Sequence, residues 1–173
     1  APVVGIIANP VSARDIRRVV SNAGGMQVAD RANVVLRVLA ALAACGVAEA
    51  VMMPERGGIR GHVERGMARA RACGGIAYPR LRTLEQPVTG TVADTHRAAA
   101  AMRRAGVAAI VVLGGDGTHR AVAAHCGAVP VAGLSTGTNN AFPEHREPTV
   151  TGLAVGLAVT GRVPAHGAYT PNK

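Results

Sequence analysis

Aromatic side chains are nearly missing from this chain. It holds one Phe and two Tyr (Phe142, Tyr78, Tyr169) and no Trp. Single-strand nucleic-acid binders interleave basic residues with stacking aromatics, and that platform is excluded here. A core without rings must be filled by Ala, Val, Leu and Ile, with Gly at close approaches. Lysine is as scarce: Lys173 stands alone, so the net charge of +9 is carried by arginine. Without an internal lysine there is no G-x-x-x-x-G-K phosphate loop. The arginines are scattered along helical stretches (Arg60, Arg65, Arg69, Arg71; Arg97, Arg103, Arg104) and read as solvated faces rather than as a nucleic-acid patch. Cys45, Cys73 and Cys126 are isolated and odd in number, with no metal-ligand spacing, which fits a reducing compartment. No signal peptide stands out, and Arg37 and Arg97 interrupt the longest apolar runs. The expectation is a cytoplasmic protein with neither a membrane nor a nucleic-acid partner.

What is present is a 173-residue chain, 49% hydrophobic, enough for one domain with a sizeable core. Apolar runs alternate with helical periods. Strands are predicted at Pro2–Ala8, Ala48–Met53, Leu81–Leu84, Ala108–Leu113 and Pro130–Leu134. Helices are predicted from about Asp15, then at Val28–Cys45, Ile59–Ala72, Thr91–Ala105, Thr118–Cys126 and Thr149–Thr160. Gly46, Gly106, Gly127 and Gly161 supply stops. Thr91 with Asp94 three residues on resembles a capping signal. This alternation predicts a three-layer, doubly wound (Rossmann-like) α/β fold with a mainly parallel sheet and right-handed crossovers.

Ligands of such folds sit outside the carboxyl ends of the strands. Three small, polar loops are expected there: Asn9–Arg14, Gly114–Thr118 and Ser135–Phe142. The second is the most informative. A buried strand runs into Gly114-Gly115-Asp116-Gly117, read as a glycine turn with freedom for positive φ and room for a ligand against the main chain. A helix from Thr118 then aims its free N–H groups back at the turn, an anion site. Asp116 is the one charged side chain in it. A carboxylate repels phosphate unless a metal, a hydroxyl proton or an orienting task justifies its place; Asp also favours turns and caps.

Asn9-Pro10-x-Ser12, Gly114-Gly115-Asp116-Gly117-Thr118 and Gly137-Thr138-x-Asn140-x-Phe142, in that order and spacing, resemble the N-terminal domain of the ATP–NAD kinase and diacylglycerol/sphingosine kinase superfamily. Within it the chain is most similar to the acetoin-catabolism branch of the NAD kinase group. The resemblance implies phosphoryl transfer from ATP, with Mg²⁺, to a hydroxyl of a small molecule, the ribose 2′-OH of NAD being a candidate acceptor, as in NADP biosynthesis. It implies that Gly114, Gly115 and Gly117 admit the phosphates and that Thr118 caps the helix or touches one. Asp116 would be the catalytic residue, orienting or deprotonating the acceptor hydroxyl or holding Mg²⁺ through water. Asn9, Ser12, Thr136, Gly137, Thr138 and Asn140 would line the nucleotide site. Asn139, Ala141 and Ala13 depart from the lipid-kinase pattern, which has Gly, an acid and Gly at those positions. The resemblance also implies an α/β nucleotide-binding domain over 1–161. Residues 162–173 would begin the connection to an absent β-rich domain, and the apolar edge so left would favour a homo-oligomer.

Two other readings compete. Gly133-Leu134-Ser135-Thr136-Gly137 matches the G-x-S-x-G elbow of serine hydrolases, with Glu144 or Glu147 and His166 as partners. Against it, Asn139-Asn140 and Pro143 do not continue as a helix, and no HGGG-like oxyanion loop appears. The stronger rival is a regulatory protein that binds nucleotide without chemistry. His119 and His125 read as packing or surface residues, and Arg14 and Arg120 either meet phosphate or stay solvated.

Overall fold

A computed structural model describes residues 1–10, 26–136 and 146–163. Strand β1 spans Val3–Ala8 and helix α1 Val28–Ala44. They are followed by β2 (Glu49–Met52), α2 (Ile59–Ala72), β3 (Arg80–Thr83) and α3 (Val92–Arg104). The last four elements are β4 (Ala109–Gly114), α4 (Asp116–Ala123), β5 (Val131–Ser135) and α5 (Pro148–Val159). The helix expected from Asp15 falls outside the described residues.

The five strands form one sheet in the order β3-β2-β1-β4-β5, every pairing parallel. The predicted doubly wound α/β fold is therefore what the chain adopts. Side chains alternate between faces along each strand, as the pleat requires. Val4, Ile6 and Ala8 of β1 and Val111 and Leu113 of β4 meet α1, α2 and Val155 of α5. Ile7, Ile110 and Val112 point the other way, onto Ala98, Ala99 and Met102 of α3 and Val122 of α4. Burial on both faces explains why β4 is a continuous apolar run rather than an alternating one. The core differs from the expected one in its methionines. Met52, Met53, Met67 and Met102 are buried, and unbranched thioethers fill the gaps that rings fill elsewhere.

Close packing needs small residues at particular points. Helix α5 lies against α1 through Gly152 and Gly156. A Cβ on Gly152 would stand 2.8 Å from the Val38 carbonyl oxygen, and one on Gly156 would stand 2.9 Å from the Cys45 sulfur. The expected helix stops hold as well: Gly46 and Gly106 follow α1 and α3 with φ of 83° and 66°.

Candidate functional site

The strand order places a switch point between β1 and β4. Chain β1-β2-β3 grows away from it in one direction and β4-β5 in the other. The registers Ala8↔Leu113 and Gly114↔Ser135 bring the carboxyl ends of β1, β4 and β5 to one level. Two strand spacings, roughly 10 Å, separate the first of these ends from the last. Asn9, Gly114–Thr118 and Ser135–Thr136 therefore share one rim of the sheet. Thr136 N–H donates to the Gly114 carbonyl at 3.4 Å, carrying the β4–β5 ladder one residue further. Ser12, Gly137, Thr138 and Asn140 lie outside the described residues, as do Arg14, Asn139, Ala141, Glu144 and His166.

The glycine loop differs from its sequence reading in two ways. Helix α4 starts at Asp116, not Thr118, with Gly115 as N-cap. Gly114, Gly115 and Gly117 are also absent from the left-handed region: Gly115 has φ −94° and ψ −175°, and neither of the others has positive φ. The reason for glycine here is space. A Cβ on Gly114 would stand 2.6 Å from both Cβ and Oγ1 of Thr118, while one on Gly117 would meet nothing within 4 Å. Gly117 is exposed and Asp116 is half-buried. The main-chain N–H groups of Asp116 and Gly117 belong to the first helical turn, where no intrahelical acceptor exists. Thr118 is buried, and its Oγ1 has no hydrogen-bond partner among the described residues.

Asn9 is 4% exposed. Its amide donates to Thr95 Oγ1 at 2.8 Å and to the Thr91 carbonyl at 3.4 Å, tying the end of β1 to the first turn of α3. Beside it opens a cavity of about 320 Å³. Asn9 and Pro10 after β1, Met53 and Glu55–Gly57 after β2, and Val88–Gly90 with Asp94 line it. Among the predicted site residues that are described, Asn9 lines this cavity; Gly114–Thr118 and Thr136 lie on the far side of β1 from β2 and do not. The strand-end bends thus meet on one rim, with the cavity flanking the glycine loop rather than sitting over it.

The cavity wall carries a carboxylate that sequence reading took only for a cap. Thr91 is the N-cap of α3 and accepts from Ala93 N–H at 3.3 Å. Asp94 reaches further back. It accepts from Gly90 N–H at 2.7 Å, from Thr89 N–H at 3.0 Å and from Thr89 Oγ1 at 2.7 Å, and it pairs with Arg97. Burial alone pushes the Asp94 carboxyl up; the donors of Thr89, Gly90 and Arg97 together outweigh it and hold the group below its ordinary range. Glu55 acts similarly on α2, accepting from Arg60 N–H at 2.9 Å. Glu55–Gly57, Thr89 and Gly90 were the lining residues missed, and Asp94 was read only as part of a cap. Their signal was position: both segments follow strands at the carboxyl rim.

The hydrolase assignment finds little room, and His125 packs as expected. Glu147, a candidate hydrolase acid, is the N-cap of α5, accepting from Val150 N–H at 2.7 Å and pairing with Arg37. His125 stacks on His96, ring centroids 4.3 Å apart, between α4 and α3, which is a packing role.

The model of the ATP-NAD kinase N-terminal domain matches residues 4–161. The chain belongs to this family. It is also 62% identical, over all 173 residues, to the acetoin catabolism protein X of Cupriavidus necator. The chain spans 48% of that relative's length. No solved structure matches it. The resemblance read from the three loops is thereby shown, and an NAD kinase-like N-terminal domain is what the sheet and its rim belong to. Among the described residues no helix is long and apolar enough to cross a membrane.

Proposed function

We propose that this NAD kinase-like domain binds ATP at the rim and serves transfer of the γ-phosphoryl group to a hydroxyl, the ribose 2′-OH of NAD being the favoured acceptor. The observation that carries the reading is the joint placement of Asn9, Gly114–Thr118 and Thr136 at one switch point, with a buried Thr118 hydroxyl beside Gly114 that has no partner among the described residues. A buried hydroxyl with no partner among the described residues, at the first turn of a helix, suits phosphate oxygens. Mg²⁺ enters with the triphosphate, as expected of a hard ion that keeps most of its waters and takes one or two carboxylates.

In this reading the acceptor oxygen attacks the γ-phosphorus, the bond to the ADP oxygen breaks, and the acceptor proton passes to Asp116. Phosphoryl transfer needs mainly positioning and charge stabilisation, which a glycine loop and one carboxylate supply. Ser12, Gly137, Thr138 and Asn140 are assigned to the same nucleotide site. In this proposal the residues after 161 begin a connection to a second, β-rich domain, and the setting is acetoin metabolism. Incubation with Mg-ATP and NAD tests the reading. Wild-type protein forms NADP, whereas Asp116→Asn binds ATP and forms none. Nucleotide binding without transfer in the wild type would establish a regulatory binder instead.

A further inference from the structure

His119 has no part in the chemistry above, yet its ring is held at both ends. Its Nδ1 lies 2.9 Å from the Gly115 carbonyl oxygen, one helical turn back. A carbonyl only accepts, so Nδ1 carries a proton and is the donor. Nε2 is buried with no partner among the described residues. It fits into a notch in β5: a Cβ on Gly133 would stand 2.6 Å from it. Glycine inside a strand weakens the strand unless something must approach closely, and here the imidazole does.

The Gly115 carbonyl also receives Thr118 N–H at 3.0 Å and His119 N–H at 3.1 Å. Three donors on one oxygen fix the direction of that carbonyl. The same planar, trans peptide unit carries Asp116 N–H on its opposite side. Holding the carbonyl into the helix therefore points Asp116 N–H out of it.

We infer that His119 is a positioning residue: clamped between Gly115 and Gly133, it aims the Asp116 main-chain N–H at a phosphate oxygen. The inference rests on the proposed reading that the glycine loop receives phosphate. The test compares wild type with His119→Leu, which keeps bulk but removes the donor, and with His119→Asn, whose side-chain N–H takes the place of Nδ1–H. The Asp116 amide resonance is measured without ligand, and Mg-ATP affinity by titration. The Leu variant is expected to shift the Asp116 amide and weaken Mg-ATP binding about three- to tenfold, the range of one hydrogen bond. The Asn variant restores both. Gly133→Ala, which displaces the ring with His119 still present, reproduces the shift and covers the case in which the Leu variant does not fold. Should the Asp116 amide stay in place in the folded variants, or affinity stay within twofold while it moves, the inference is overturned. If wild type binds no Mg-ATP, the kinase-like reading fails, and the ligand-free amide shift still decides the clamp.

Discussion

Replacing Asp94 by Asn isolates what a buried carboxylate does for the cavity wall. The residue is 2% exposed. Asparagine keeps one oxygen, which suits the position now taking Thr89 N–H and Thr89 Oγ1. Its amide nitrogen then faces Gly90 N–H, which at present donates across 2.7 Å. Donor meets donor, one charge-assisted bond is lost, and Arg97 loses its counter-charge. A hydrogen bond to a charged group contributes about 1.5–3 kcal/mol. The Arg97 partner is 38% exposed, so its share is small. The expected loss is about 2–3 kcal/mol at pH 7, or about 4–12 °C in Tm for a domain of this size. Acid supplies the sharper test. The folded-state pKa of Asp94 lies below its ordinary value of 3.8, so the carboxylate contributes stability above that value and loses it as pH falls through the folded-state pKa. The difference between wild type and Asp94→Asn, from urea melts, should be constant near neutrality and shrink in acid. A difference that persists undiminished at pH 2.5, or none at pH 7, would refute the reasoning.

Four further outcomes follow, three from packing and one from a helix cap. Gly152→Ala should destabilise the protein in calorimetry: helix propensity favours Ala by about 1 kcal/mol, but the new methyl strikes the Val38 carbonyl at 2.8 Å and overpacking costs about 1–3 kcal/mol. Gly61→Ala is the matched control, since its methyl would meet only the Arg65 guanidinium at 3.3 Å; it should raise Tm. Gly114→Ala forces Thr118 aside and should weaken Mg-ATP binding, measured by titration, more than it lowers Tm. Thr91→Ala removes the α3 N-cap and should cost about 1 kcal/mol in urea denaturation.

Local chemistry made much of this molecule readable from the chain alone. Continuous apolar runs and period-3.6 hydrophobicity placed nine of the ten described elements to within one residue at each end, because each must bury one face or both. The match was poorest at α4, whose start at Asp116 was hidden by two glycines, residues that read as turn rather than as a first helical turn. The methionine core was missed because an unbranched side chain fills whatever gap the backbone leaves. Thr91 and Asp94 were legible only as a cap and Glu55–Gly57 carries no familiar spacing, so the flanking cavity had no signal except its place after two strands.

Alternation of apolar runs, glycine stops and three small-residue loops determined the layered α/β architecture and the family to which the chain belongs, since these follow from backbone geometry over a few residues. Tertiary structure alone decided that Asn9 ties to Thr95, that His119 occupies a notch at Gly133, and that the cavity opens beside β1 rather than over the glycine loop. Those contacts join residues far apart in the chain, and their existence depends on sheet order and register, which no local pattern encodes.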